Sequence, residues 1–216
     1  MEFFSEEQKT LFGQHLADGI KQLNLNIDEE KQQLLLIYLE QLAKWNKAYN
    51  LSGIKQPERM LSLHLLDSLS VLPFINEESV LDVGTGAGLP GIPIAICKPN
   101  NDISLLDSNG KKTRFLFQAI TQLKLKNVVV INNRVENYQS TESVDIVISR
   151  AYSSLAQFIT HTRHLLGEKS KLLAMKGHYP QAELDELPED FKLLEVHELH
   201  IPGEAGARHL LEIVRI

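Results

Sequence analysis

A glycine-rich turn follows a short apolar run in the stretch VLDVGTGAGLPG at positions 80–91, whose glycines are Gly84, Gly86, Gly88 and Gly91. Turns of this kind after a strand commonly hold a nucleotide-like ligand, because glycine lets the backbone approach the ligand closely. Asp107 lies about twenty residues further on, the separation at which a carboxylate binds ribose hydroxyls in such sites. The pattern therefore predicts a ligand that carries a ribose.

The spacing of Gly86, Gly88 and Gly91 satisfies the G-x-G-x-x-G pattern of dinucleotide-binding proteins. An NAD site is therefore one interpretation. A P-loop is excluded, because no Lys-Ser or Lys-Thr pair follows Gly91.

Three neighbouring features disfavour a dinucleotide. Gly84 follows the expected strand end directly, so the dinucleotide spacing is out of register with the strand. Asp82 stands beside the turn, where a carboxylate would repel a pyrophosphate. Pro90 and Pro93 remove two backbone N–H donors from the helix entry, where a phosphate would need them. S-adenosylmethionine, which carries a sulfonium cation and no phosphate, suits these residues better.

Two further residues complete this interpretation. Val135 and Glu136 lie in the segment NNRVEN, after a third expected strand, where they would flank the adenine. Asp107 would accept hydrogen bonds from both ribose hydroxyls. This order of elements is that of a Rossmann-like methyltransferase.

The elements that must position these residues fall into two regions. Residues 1–76 show helical spacing of apolar positions, with Ser5 as a helix N-cap and a second helix that begins near Asp28. Residues 77–216 alternate short β-branched runs with amphipathic helices, which predicts βαβ units and a parallel sheet. The last two strands, FKLLEVHELHI and RHLLEIVRI, have only a short PGEAGA connection. The predicted fold is thus α/β: a mostly parallel seven-stranded sheet with an antiparallel edge pair and an N-terminal helical extension.

Composition narrows the setting of the protein. The 216 residues include no apolar run of membrane-spanning length and no signal peptide, so we expect neither a membrane nor secretion. The single cysteine, Cys97, lies in an apolar run and fits a reducing cytoplasm. The net charge is −6, but residues 98–134 contain seven basic and two acidic residues, a local charge of +5. Such a local basic face is compatible with binding an RNA backbone.

Seven segments together resemble a known family, the bacterial 16S rRNA 7-methylguanosine methyltransferases, formerly called glucose-inhibited division protein B. They are KWNKAYNLSGI, HLLDSL, VLDVGTGAGLPGIPIAI, LLDSNGKKTRFL, RVENY, VISRAYSSL and MKG, and they span nearly the whole chain. The resemblance implies methyl transfer from S-adenosylmethionine to guanine N7 in the 16S rRNA of the small ribosomal subunit, by a monomer. It also implies a cofactor site lined by Gly84, Leu89, Val135, Glu136 and Arg150.

Arg150 comes from the resemblance alone, because no pattern in the residues singles it out. A guanidinium at the end of the fourth strand would bind the methionine carboxylate or an RNA phosphate. Four basic residues that follow strands at their carboxyl ends are candidates for RNA contacts: Lys111, Lys112, Arg114 and Lys176. Arg208, further out, is a fifth candidate. Tyr152 and Tyr179 are candidates to stack on the target guanine.

Other chemistry finds less support. His64, Asp67 and Ser68 lie within about one helical turn, but no strained nucleophile turn of the G-x-S-x-G type accompanies them. The histidine pairs lack acids or cysteines at ligand spacing, so we expect no metal site. Guanine N7 carries no proton, so we expect no acid–base residue either. Two alternative functions remain open from the residues: an NAD-dependent oxidoreductase and a non-catalytic binding module.

Overall fold

The computed structural model describes residues 3–140, 144–150 and 152–216. The helices come first in the chain and then alternate with strands. They are α1 (Glu6–Gln22), α2 (Glu29–Tyr49), α3 (Pro57–Met60), a π-helix (Leu61–Leu66), α4 (Asp67–Leu69), α5 (Gly91–Cys97), α6 (Gly110–Leu123), α7 (Leu155–Thr162) and α8 (Gln181–Asp185). The strands are β1 (Val80–Val83), β2 (Ile103–Asp107), β3 (Val128–Asn132), β4 (Val144–Arg150), β5 (Leu166–Lys176), β6 (Phe191–His200) and β7 (Ala207–Arg215).

The helix starts expected from the sequence are confirmed. Ser5 accepts a hydrogen bond from the backbone of Gln8, whose side chain accepts one in return from the backbone of Ser5. Asp28 accepts a hydrogen bond from the backbone N–H of Lys31 in the same way. These caps satisfy backbone donors that a helix leaves open at its start.

The seven strands form one sheet in the order β3-β2-β1-β4-β5-β7-β6. Strands β1 to β5 pair in parallel, whereas β7 is antiparallel to both β5 and β6. The chain winds from β1 outward to β3 and then returns to β4 on the other side of β1. Ligands of such sheets bind at this switch point, beyond the carboxyl ends of the strands.

Alternate residues of the central strands point to two separate apolar layers. Val80 of β1 and Ile146 of β4 face one layer, which also contains the buried side chains of α1, α2, α5 and α6. Leu81 and Val147, the next residues along these strands, face the other layer, which α7 covers. The alternation follows from the period of two residues in a strand.

The predicted fold class is confirmed, including the antiparallel pair at the edge. Helix α8 was not expected. The third helix expected from the sequence, after Pro57, consists of α3, the π-helix and α4, and its apolar spacing did not indicate the π-helical part. The N-terminal helices share one apolar layer with α5 and α6, so the boundary at residue 76 stays a prediction. Within the described residues, no helix is both long and apolar enough to cross a membrane.

Candidate active site

The turn after β1 contains three glycines with positive φ angles: 66° at Gly84, 64° at Gly86 and 93° at Gly88. Residues with side chains rarely adopt this conformation. The surroundings of the three differ. A methyl group on Gly88 would lie 2.6 Å from Ile92 Cδ1, whereas a methyl group on Gly84 would have no atom within 4 Å. Gly84 is therefore the position at which the missing side chain leaves open space.

Asp82 lies in β1 beneath this turn and is 0% exposed. Its Oδ2 accepts hydrogen bonds from the Thr85 hydroxyl at 2.6 Å and from the Gly91 N–H at 2.8 Å. Burial raises the pKa of Asp82 to about 6, although these two hydrogen bonds lower it. The structure corrects the role expected from the sequence: this carboxylate holds the turn against α5 and lines neither the cavity beside the turn nor the one at the ends of β4 and β5.

The N-terminus of α5 offers no open donor in its first three residues. The Gly91 N–H donates to the buried carboxylate in β1, and the Ile92 N–H donates to the Gly88 carbonyl at 2.7 Å. Pro93 has no N–H. A phosphate at a helix start depends on these donors, so the geometry disfavours a pyrophosphate.

A cavity of about 380 Å³, here called the first cavity, opens beside the turn at the carboxyl ends of β1 and β2. Four of the sequence-predicted cofactor residues line it together: Gly84, Asp107, Val135 and Glu136. Small-molecule sites commonly have volumes of about 300–1,000 Å³. The first cavity is therefore large enough for a nucleoside.

Asp107 is mostly buried at the end of β2, and both of its oxygens bind backbone. Oδ2 accepts a hydrogen bond from the Gly86 N–H at 2.9 Å, and Oδ1 accepts one from the Asn109 N–H at 2.8 Å. Lys112 Nζ is 3.5 Å from Oδ2. An ionised carboxylate has about four acceptor positions, so Asp107 keeps capacity for a ribose hydroxyl.

The opposite wall of the first cavity comes from α7 and the residues just before it. The Tyr152 hydroxyl lies 2.8 Å from His161 Nδ1, which is 3.6 Å from Glu136 Oε1. Burial, followed by the charge of Glu136, raises the pKa of Tyr152. His161 and Gln157 were missed by the sequence analysis. Their spacing of four residues on the helix after β4 is the signal that would have found them.

A second cavity, of about 400 Å³, lies on the other side of β1, at the carboxyl ends of β4 and β5. Its lining contains Arg150, which the family resemblance assigned to the cofactor, together with the predicted RNA-binding residues Lys176 and Arg208. His64 and Asp67, from the N-terminal helices, also line it. The structure thus brings residues from both sequence regions into one site.

Arg150 connects β4 to these N-terminal helices. Its Nη1 donates to the Leu63 carbonyl at 2.8 Å and to Asp67 Oδ2 at 3.1 Å. Burial raises the pKa of Asp67, and the positive charge of Arg150 opposes that shift. The Leu63 carbonyl lies in the π-helix, a geometry that often occurs at functional sites.

His64 extends the same network. Its Nε2 is 2.7 Å from the Ser52 hydroxyl, and its Nδ1 is 3.4 Å from Arg150 Nη2. Burial, together with the charge of Arg150, lowers the pKa of His64 to about 4, so the ring is neutral at pH 7. His64 and Asp67 therefore belong to a set of hydrogen bonds that orients Arg150. The hydroxyl of Ser68, their neighbour in sequence, is buried and has no hydrogen-bond partner among the described residues.

The remaining predicted residues lie in three settings. Lys176 Nζ contacts both carboxylate oxygens of Glu183, at 2.8 and 3.0 Å, and Arg208 Nε is 3.8 Å from Asp67 Oδ1. Lys111 and Arg114 are exposed on α6. Gly86, Gly88 and Leu89 shape the turn without lining either cavity. All of these assignments stay predictions.

Comparison with known proteins decides the family. The model of the family described as rRNA small subunit methyltransferase G matches residues 31–211. The chain belongs to this family. Among its curated relatives, the ribosomal RNA small subunit methyltransferase G of Stutzerimonas stutzeri is 51% identical over 204 residues, which are 94% of this chain and 95% of that protein. The protein of the same name from Pseudomonas aeruginosa is 50% identical over 201 residues, 93% of this chain and 94% of that protein.

Solved structures support the fold assignment. A SAM-dependent methyltransferase from Aquifex aeolicus matches with a TM-score of 0.58 at 17% identity, over 77% of this chain and 97% of that chain. Magnesium protoporphyrin IX methyltransferase from Synechocystis, solved with bound SAM, matches with a TM-score of 0.59 at 14% identity, over 83% of this chain and 97% of that chain. At these identities the likeness shows a shared methyltransferase fold and no more.

Proposed function

We propose that this protein methylates guanine N7 at one position of 16S rRNA in the small ribosomal subunit, with S-adenosylmethionine as the methyl donor. The observation that carries the proposal is the first cavity, lined by Gly84, Asp107 and Glu136, in a chain of the rRNA small subunit methyltransferase G family. An rRNA substrate means that the protein would act in the cytoplasm.

The residues of the first cavity fit this donor. Gly84 leaves space where a side chain would stand, and Asp107 keeps acceptor capacity for a ribose hydroxyl. Val135 and Glu136 line the same wall as Tyr152, where an adenine would lie. The occupied N–H groups at the start of α5 suit a ligand without phosphate.

Positioning accounts for the chemistry that this chain has to perform. S-adenosylmethionine supplies a methyl group that is already bound to a good leaving group. Guanine N7 has a lone pair and no proton, so no side chain has to remove one. The two cavities flank β1 and β4, and their side chains align donor and acceptor and exclude water, which lowers the entropic part of the barrier.

The proposal is tested by methyl transfer from tritium-labelled S-adenosylmethionine to two substrates, assembled small ribosomal subunits and stripped 16S rRNA, both lacking the modification. Mass spectrometry of nucleoside digests would then identify the product as 7-methylguanosine. Absence of label from both substrates would contradict the proposal.

The alternative interpretations predict different results. An NAD-dependent oxidoreductase would gain thermal stability from NAD and none from S-adenosylhomocysteine, and we expect the reverse. A non-catalytic module would be stabilised by S-adenosylhomocysteine and would label neither substrate.

A further inference from the structure

The second cavity is lined by both apolar and charged side chains. Leu63, Met175 and Leu199 are among its apolar lining residues, and its charged lining residues are Asp67, Arg150, Lys176 and Arg208. Enzymes that modify a base take it out of the stack, hold it between apolar side chains and bind its Watson–Crick edge. The lining of the second cavity matches that description.

Among the described residues that line the second cavity, Asp67 is the only acidic one. It is only 6% exposed, and its two oxygens differ in their contacts. Oδ2 accepts the hydrogen bond from Arg150 at 3.1 Å, whereas Oδ1 is 3.8 Å from Arg208 Nε, beyond hydrogen-bond distance. Oδ2 is thus held by a hydrogen bond, whereas Oδ1 accepts none within the described residues, and Asp67 lines the second cavity.

A buried carboxylate distinguishes between the possible occupants of this cavity. A phosphate in direct contact with Asp67 would be repelled, because both groups are negative, so the group that contacts Asp67 should be a hydrogen-bond donor. Among the four bases, guanine alone presents two neighbouring donors, N1–H and the N2 amino group, on its Watson–Crick edge. A carboxylate is purely an acceptor and matches this pair. The guanidinium groups of Arg150 and Arg208 are donors of the kind that bind the O6 acceptor of guanine.

We propose that the second cavity receives the target guanine and that Asp67 selects it by accepting hydrogen bonds from its N1–H and N2 amino groups. This inference rests on the function proposed above and names the residue that determines base specificity. N7 lies on a different edge of the base from N1 and N2. Binding the Watson–Crick edge therefore leaves the N7 lone pair free to react.

The test replaces the target guanosine with inosine, which keeps N7 and N1–H but lacks the N2 amino group. Small subunits are reconstituted with 16S rRNA that carries guanosine or inosine at the position located by mass spectrometry, and kcat/KM is measured for each. We expect inosine to reduce kcat/KM by about tenfold or more, because one hydrogen bond to a charged group is lost.

A variant then assigns the discrimination to Asp67. The Asp67→Asn protein has a neutral side chain of the same shape, and we expect its preference for guanosine over inosine to fall to about threefold or less. The matched control is Asp102→Asn, an exposed aspartate before β2 at the other end of the sheet, which should keep the full preference. Each protein supplies its own ratio, so a change in overall activity does not affect the comparison.

The outcomes separate the two proposals. If the wild-type protein does not methylate the guanosine particle, the proposed function fails. If it methylates guanosine and inosine equally well, the proposed function stands and the role of Asp67 is overturned. Equal discrimination by wild type and Asp67→Asn also overturns it. The wild-type comparison needs no variant, so it can overturn the role of Asp67 even if Asp67→Asn does not fold.

Discussion

Asp82 and Asp107 lie at or near the carboxyl ends of neighbouring strands, and both accept hydrogen bonds from the glycine-rich turn. Of these two residues only Asp107 lines the first cavity, because it is the last residue of β2 and stands two register positions beyond Asp82. Asp82 is enclosed and fixes the turn from below. Two aspartates in the same motif therefore have different roles, and substitutions should separate them.

Substitution Asp107→Ala should weaken the binding of S-adenosylhomocysteine by about tenfold or more, since a charged hydrogen bond to the ribose is worth about 1.5 kcal/mol or more. Isothermal titration calorimetry measures this affinity. Asp102→Asn, far from the cavity, should bind as wild type does. An unchanged dissociation constant for Asp107→Ala would refute the ribose assignment.

Substitution Asp82→Asn should change how stability depends on pH. The folded-state pKa of about 6 lies above the ordinary value of 3.8, so the folded protein binds the extra proton between these values. This group therefore makes wild type less stable as pH rises from about 4 to 6. An asparagine does not ionise, so the stability of the variant relative to wild type should rise by about 3 kcal/mol over this range.

Urea denaturation of both proteins at pH 4, 5, 6 and 7 measures this difference. Oδ1 of Asp82 has no hydrogen-bond partner among the described residues. The amino group of the asparagine side chain can therefore replace Oδ1 without breaking a hydrogen bond. A difference in free energy of unfolding that stays constant with pH would contradict the assigned pKa.

At the scale of elements, the turn between β1 and α5 combines two requirements that the sequence pattern does not separate. Gly91 is needed for packing, because a methyl group there would lie 2.2 Å from Leu105 Cδ2 and 2.8 Å from Asp82 Oδ2. At Gly84, which lines the first cavity, a methyl group would contact no protein atom and would stand in open space. Glycine at this position therefore keeps that space free for a ligand. The four glycines therefore form one motif for more than one physical reason.

The substitutions Gly91→Ala and Gly84→Ala should consequently have opposite profiles. Gly91→Ala should lower Tm by roughly 5 °C or more, because overpacking a buried contact costs about 1–3 kcal/mol. Gly84→Ala should lower Tm less, since only backbone strain is added. Its affinity for S-adenosylhomocysteine should fall by about tenfold, because the methyl group stands at the cavity wall. Thermal unfolding and calorimetry on both variants test this, and a normal affinity for Gly84→Ala would place the ligand elsewhere.

At the scale of the whole molecule, the excess of acidic residues coexists with basic residues near the carboxyl ends of the strands. Lys176 is paired with Glu183, and its side chain is 12% exposed, which leaves it less available to a phosphate than the sequence suggested. Lys111 and Arg114 are exposed on α6, within two residues of Lys112, which lines the first cavity. These two residues are therefore the better candidates for phosphate contacts.

The double variant Lys111→Glu/Arg114→Glu should bind 16S rRNA more weakly than wild type. The negative slope of log affinity against log salt concentration should become shallower by roughly one to two, because each lost phosphate contact reduces its magnitude by about 0.7–0.9. Lys169→Glu/Lys192→Glu makes the same change in charge at exposed positions near the amino end of the sheet. Filter binding at several salt concentrations compares the two. Equal slopes would remove α6 from the RNA-binding surface.

Local signals made much of this structure predictable. The caps at Ser5 and Asp28, the alternation in β1 and β4, and the carboxyl-end position of Asp107 depend on neighbouring residues and on general rules for sheets. The position of Arg150 in the second cavity was not predictable in this way. It depends on how the N-terminal helices dock against β4, which is a contact between residues more than eighty positions apart.

The π-helix Leu61–Leu66 also constrains how many residues this segment can contain. Asp67 follows this segment, and its backbone N–H bonds to the carbonyl of Ser62, five residues back, which is the spacing of a π turn. Each residue of an α-helix turns the chain by about 100°. Deleting one residue from the segment would rotate Asp67 away from Arg150 while leaving the composition of the helix nearly unchanged. In this part of the protein, the number of residues is under as strict a constraint as their identity.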